Sequence, residues 1–137
     1  MPTPDLVELS SLYERIGGHE GILKLIRPFY ADVRQHAVLG PIFNEHIKDW
    51  QAHLEKIMEF WARQMGGPSR YPGGFAAAHL QLGIGKEHFS HWLTLWDFNC
   101  RRNLPATEAA EASELAHRIG AQLAQIVGGR GGVQIGG

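Results

Sequence analysis

Trp50-Gln51-Ala52-His53-Leu54-Glu55-Lys56-Ile57-Met58-Glu59-Phe60-Trp61-Ala62-Arg63-Gln64-Met65 is the stretch whose reading decides the fold. Trp50, His53, Leu54, Ile57, Phe60, Trp61 and Met65 recur at steps of three and four, the spacing of one broad helical face. Asp49 stands where a helix takes its N-cap. Gly66-Gly67-Pro68 supplies the stop. The segment therefore reads as a helix from Trp50 to Met65, with a histidine among large aromatic residues on its apolar face.

Working outward, the same period recurs on both sides. Leu6, Leu9, Leu12, Tyr13 and Ile16 predict a helix over Asp5 to Ile16, ended by Gly17-Gly18. Ile22, Leu25, Ile26, Phe29, Tyr30 and Val33 predict a second, from His19 to Gln35. Pro28 falls inside it, so the helix either kinks there or begins later. Leu39 to Ile47 is broken by Gly40-Pro41 and reads as tight turns. Beyond Pro68, Ser69 to Gly74 is rich in breakers and reads as loop, and Phe75 to Leu82 has room for about two helical turns. Lys86 to Asn103 carries Phe89, Trp92, Leu93, Leu95, Trp96 and Asn99 at helical steps. After Pro105, Thr107 is the expected cap of a last helix over Glu108 to Val127. In Gly128 to Gly137 six of ten residues are glycine, which predicts a flexible tail. The expectation is one all-α domain over residues 1–127 and a tail over 128–137, with no repeat and no strand.

Composition narrows what such a domain does. A chain of 137 residues with 44% hydrophobic and 20% charged residues can bury a core without staples. A formal net charge of -1 gives no electrostatic case for nucleic acid or an anionic membrane as partner. No apolar run reaches membrane-spanning length, which argues against membrane insertion. A single cysteine, Cys100, excludes an intrachain disulfide and favours a reducing, cytoplasmic setting.

The chemistry falls to histidine. One cysteine makes no zinc cluster, and the glycine pairs follow helices rather than strands, so they are not a phosphate loop. Of eight histidines, His53 and His79 lie among apolar neighbours, the latter in Phe75-Ala76-Ala77-Ala78-His79-Leu80. A neutral imidazole in such a setting suits iron, although a histidine on an apolar face is more often a satisfied core residue. His19, His36, His46, His88, His91 and His117 fall at helix ends or between polar residues. Four tryptophans imply large packing faces or a flat ligand, and Trp96 reads as core.

Ordered along the chain, a set of short strings resembles the truncated haemoglobins. They are Phe29-Tyr30, Leu39-Gly40-Pro41-Ile42-Phe43-Asn44, Trp50-x-x-His53, Phe60-Trp61, Tyr71-x-Gly73, Ala78-His79-Leu80 and Phe89-x-x-Trp92-Leu93-x-Leu95. The match runs from about Leu12 to Leu95 and is most like the third group, with the second group next. Gly17-Gly18 and Gly66-Gly67 depart from the third group, which usually lacks those pairs.

The resemblance implies a shortened globin fold, two helices packed over two, around haem b (iron protoporphyrin IX). It implies that His79 is the proximal iron ligand. Tyr30 and Trp92 match the distal hydrogen-bond donors, His53 the distal histidine, and Trp61 a large aromatic on the distal helix. Phe43 matches the phenylalanine that packs on the porphyrin, with Ile57, Phe75, Leu80 and Phe89 as further apolar lining. His53 has two roles open to it, a swinging gate or a sixth iron ligand. The function implied is reversible binding of dioxygen and other diatomic ligands, as in oxygen transport or storage. The alternatives are nitric oxide dioxygenation or a peroxidase-like reaction with a reductase partner, a haem-based sensor, and a helical interaction module without haem.

Overall fold

Ser11 starts the first helix of the computed structural model, which describes residues 10–74 and 85–136, without the side chains of 86 and 127–136. Its hydroxyl accepts from the Glu14 backbone N–H while the Glu14 carboxylate accepts from the Ser11 N–H, a reciprocal capping box. This cap confines α1 to Leu12–Arg15, shorter than the apolar run from Asp5 predicts, since Ser10 and Ser11 lie outside the helix. The part of that expectation before Ser10 lies outside the described residues.

α2 spans Gly18–Gln35 as one helix through Pro28. Its apolar stripe, Ile22, Leu25, Ile26, Phe29, Tyr30 and Val33, is buried as the spacing predicts. Leu39–His46 is a helix, α3, and not the expected tight turns. Pro41 is its third residue, where a backbone N–H has no partner inside the helix, so the missing donor costs nothing. The His36 Nδ1 accepts from the N–H groups of Val38 and Leu39 and so caps the start of α3.

α4 covers Trp50–Gln64, and Asp49 caps it as predicted, its carboxylate accepting from the Ala52 N–H at 3.1 Å. α5 covers Lys86–Asn103 and α6 Ala106–Gly136. Two expectations about α6 differ from what is observed. Thr107 lies inside the helix rather than capping it, and the Pro105 carbonyl accepts from the Ala109 N–H at 2.8 Å. The helix also continues past Val127 into the glycine-rich segment. Phe75 to Leu82, expected to be helical, lies outside the described residues.

The helices pack as two layers. α2 lies on α4, and α5 packs most extensively on α6, while α2 on α5 joins the layers. At the join, Trp61 of α4 stacks on Trp96 of α5 with centroids 4.4 Å apart and planes at 17°. Trp92 lies parallel to Trp96 at 5.8 Å, and Phe29 of α2 meets both edge-on. The fully buried Trp96 also donates its indole N–H to the Ala112 carbonyl of α6 at 3.0 Å, which confirms it as core.

The glycine pairs have a structural task. Tyr13 of α1 lies against both, and its N–H donates to the Met65 carbonyl at 3.0 Å. A Cβ on Gly67 would sit 2.3 Å from the Tyr13 ring, so only glycine lets α1 dock on the end of α4.

Candidate functional site

Two of the distal candidates, Tyr30 and His53, meet the porphyrin-packing candidate Phe43 where α2, α3 and α4 converge. Tyr30 projects from α2, Phe43 from α3 and His53 from α4. The Tyr30 ring lies 5.6 Å from His53, nearly perpendicular at 88°, and 6.3 Å from Phe43. Trp50, one helical turn before His53, completes the group at 6.0 Å from Tyr30 and 5.4 Å from His53. Tyr30 is 5% exposed and Phe43 3%, whereas His53 and Trp50 are half-buried. The ring cluster therefore grades from a buried end at Tyr30 to a half-buried end at Trp50.

On the inner side the Trp92 indole is the polar side chain that acts on the Tyr30 hydroxyl. An indole nitrogen only donates, so a bond between the two would run from the Trp92 N–H to the Tyr30 oxygen and leave the phenol proton free. Burial pushes the Tyr30 hydroxyl well above the usual phenol range, with Trp92 opposing it only in part. The group stays a neutral O–H donor at every physiological pH. The sequence treats Tyr30 and Trp92 as two parallel donors; a bond from the indole to the phenol would put them in series.

Trp61 is 1% exposed and parallel to Trp92 at 6.4 Å, so it backs the donor pair from within the tryptophan stack. Ile57 lies one turn beyond His53 on α4 and is half-buried, and Phe89 is buried one turn before Trp92 on α5. His79, Phe75 and Leu80 lie outside the described residues. Among the described residues no group of three histidine, cysteine, aspartate or glutamate side chains could hold a metal ion.

Two contributors escape the sequence reading. Trp50 is one, though its position three residues before His53 in α4 was a signal that the two share a face. The other is Arg34, whose guanidinium carbon stands 4.6 Å above the Trp50 ring. No local pattern reveals that contact, because it joins the last turn of α2 to the first residue of α4.

Several of the remaining histidines have structural partners. His36 caps α3, and His88 Nδ1 accepts from the Gly85 N–H at 2.7 Å at the start of α5. His19 bridges Tyr13 and Glu59, with 2.5 Å from its Nδ1 to the Tyr13 hydroxyl and 3.2 Å from its Nε2 to the Glu59 carboxylate. Glu59 also accepts from the Arg70 N–H at 2.8 Å, and that bond leads the causes that hold its carboxyl below the usual range. This network ties α1, α2 and α4 to the loop that leads toward His79.

Comparison with known proteins agrees with this architecture. The profile of the bacterial-like globins matches residues 11–108. A group 3 truncated hemoglobin of Campylobacter jejuni is 40% identical over 83 residues, 57% of this chain and 65% of that protein. A group 1 truncated hemoglobin of Mycolicibacterium paratuberculosis is 34% identical over 83 residues, 60% of each chain. The chain thus spans less than two thirds of the length of either curated relative. Among solved structures, the group III truncated hemoglobin from Campylobacter jejuni superposes with a TM-score of 0.76 at 31% identity, covering 80% of this chain and 91% of that one. A thermostable hemoglobin from Thermobifida fusca gives 0.73 at 26% identity, over 84% and 97%.

Proposed function

Because the chain belongs to the bacterial-like globin family, most like the group III truncated haemoglobins, we propose that it is a haem protein that reversibly binds dioxygen and other diatomic ligands. The observation that carries this reading is the buried Tyr30 hydroxyl, a neutral O–H held among aromatic rings with Phe43 and His53 beside it.

The residues present fit haem b. Phe43 is an apolar aromatic at the pocket floor, and Ile57 and Phe89 extend the same surface. The ring cluster of Tyr30, Phe43, Trp50 and His53 contains no carboxylate, which suits a flat apolar disc better than a bare cation. When bound, haem would supply an iron that His79 would ligate and that would take a diatomic gas. Phe75 and Leu80 are further candidates for holding the cofactor.

The chain's own residues then do the selecting. Tyr30 donates its O–H to the outer, partly negative atom of the ligand, in surroundings dry enough for that bond to count. Trp92 fixes the phenol oxygen and so aims its proton. Trp61 and Trp96 hold Trp92 in plane, and Phe43 excludes water. His53 stands at the half-wet end, where it controls entry, and with Tyr30 and Trp92 supplying the polar groups it is not needed as a third donor.

Titration of the haem-free chain with haem, followed by absorption spectra of the reduced protein with and without dioxygen, tests the reading. A five-coordinate ferrous spectrum that changes reversibly with dioxygen is expected. A chain that takes up no haem at one equivalent contradicts it. Mixing the oxygenated protein rapidly with nitric oxide, with and without a reductase, separates a carrier from a dioxygenase.

A further inference from the structure

Trp50 has no assigned role in the reading above beyond membership of the ring cluster, yet with His53 it forms the half-buried side of that cluster. The cluster has a radial order: Tyr30 is buried, Trp50 half-buried and Arg34 exposed. Trp50 lies edge-on to His53 and within ring contact of Tyr30, so its indole stands between the donor pair and solvent. Its backbone is pinned, because it is the first residue of α4 and Asp49 caps that helix end. Its ring is pinned separately by the Arg34 guanidinium, 4.6 Å from the centroid. The Arg34 backbone is tied to α3, since its carbonyl accepts from the Asn44 side chain at 3.1 Å. Side chains of α2 thus hold the Trp50 indole of α4 at the outer side of the cluster.

We propose that Trp50 is a ligand-access residue, clamped by Arg34, whose closed position sets how fast a diatomic ligand reaches Tyr30. The proposal rests on the haem-globin reading for its ligand, but the clamp belongs to the chain itself. His53 has Tyr30 on its inner side and Trp50 on its outer side, so an outward swing of the imidazole requires the indole to yield. Loss of the cation frees the indole without touching the donor pair. Ligand entry then speeds up, and release through the same mouth speeds up with it, so affinity stays nearly constant. A residue that bonded the ligand would instead change affinity.

The experiment compares the wild type with Arg34→Gln, Arg34→Lys and Trp50→Leu, all at positions exposed or half-buried enough for folding to survive. Carbon monoxide rebinding after flash photolysis reads the mouth. Arg34→Gln is expected to speed association about two- to fivefold, the range that a cation–π contact at an exposed site allows. Trp50→Leu is expected to do at least as much, and Arg34→Lys to restore part of the wild-type rate. A second readout needs no gas. With 5-fluorotryptophan in all four positions, the Trp50 resonance, assigned by its absence from Trp50→Leu, should gain solvent exposure in Arg34→Gln. Unchanged association in both Arg34→Gln and Trp50→Leu, in protein that holds haem, overturns the proposal and leaves the haem reading standing. Failure to take up haem defeats the functional reading, and the fluorine signal then decides the clamp alone: no change in Arg34→Gln overturns it.

Discussion

Replacing Tyr30 and Trp92, singly and together, tests whether the two donors act in series. In the series arrangement Trp92 gives its N–H to the Tyr30 oxygen, so the phenol proton alone reaches the ligand. Tyr30→Phe removes that bond. At about 1 to 1.5 kcal/mol for a hydrogen bond in a dry pocket, dioxygen release should quicken about five- to tenfold. Trp92→Phe removes only the polarisation that one bond in a chain lends the next, about 10–30% of the same energy. Its effect should be at most about twofold, and the phenyl ring keeps a surface over Trp96. The double variant should release dioxygen at about the rate of Tyr30→Phe, because the Trp92 effect has nothing left to act through. Stopped-flow mixing of the oxygenated protein with a dioxygen scavenger measures all four rates. If Trp92→Phe costs as much as Tyr30→Phe and the two multiply, the indole reaches the ligand on its own and the series arrangement is wrong.

Trp96→Phe should destabilise the fold by about 2–3 kcal/mol, from the lost bond to the Ala112 carbonyl and the gap left against Trp61. That lowers the melting temperature by about 7–10 °C, readable by thermal unfolding. Glu59→Gln should cost about 1 kcal/mol at neutral pH, after allowing for water around a partly exposed carboxylate. The Glu59 carboxyl is held low by the Arg70 N–H, so its contribution is full above the usual carboxylate pKa and disappears as pH falls through the lowered value. Wild type and variant should therefore converge in melting temperature at acid pH and differ at pH 7. A constant gap across that range refutes the role of the charge.

What could be read from the sequence was local. α4 and its Asp49 cap follow from apolar spacing and one side chain, and the buried stripe of α2 from its period alone. The α1 boundary was present as Ser11-x-x-Glu14 but was outweighed by the apolar run through Leu6 and Leu9. α3 was obscured because Gly40-Pro41 looks like a turn, although a proline in the first turn of a helix sacrifices no bond. The Trp92–Tyr30 pairing and the Arg34–Trp50 contact join residues on different helices, and no periodicity encodes them. The glycine pairs read as helix stops; the approach of Tyr13 explains Gly67, while Gly17, Gly18 and Gly66 hold left-handed backbone.

The central claim is that this chain holds haem iron through His79 and leaves the opposite position to a gas. The most direct measurement is the ferrous absorption spectrum of His79→Gly, recorded before and after adding imidazole. The account predicts loss of the five-coordinate histidine-ligated spectrum and its partial return when free imidazole fills the vacated place. A variant that binds haem with unchanged ligation, indifferent to imidazole, would contradict it.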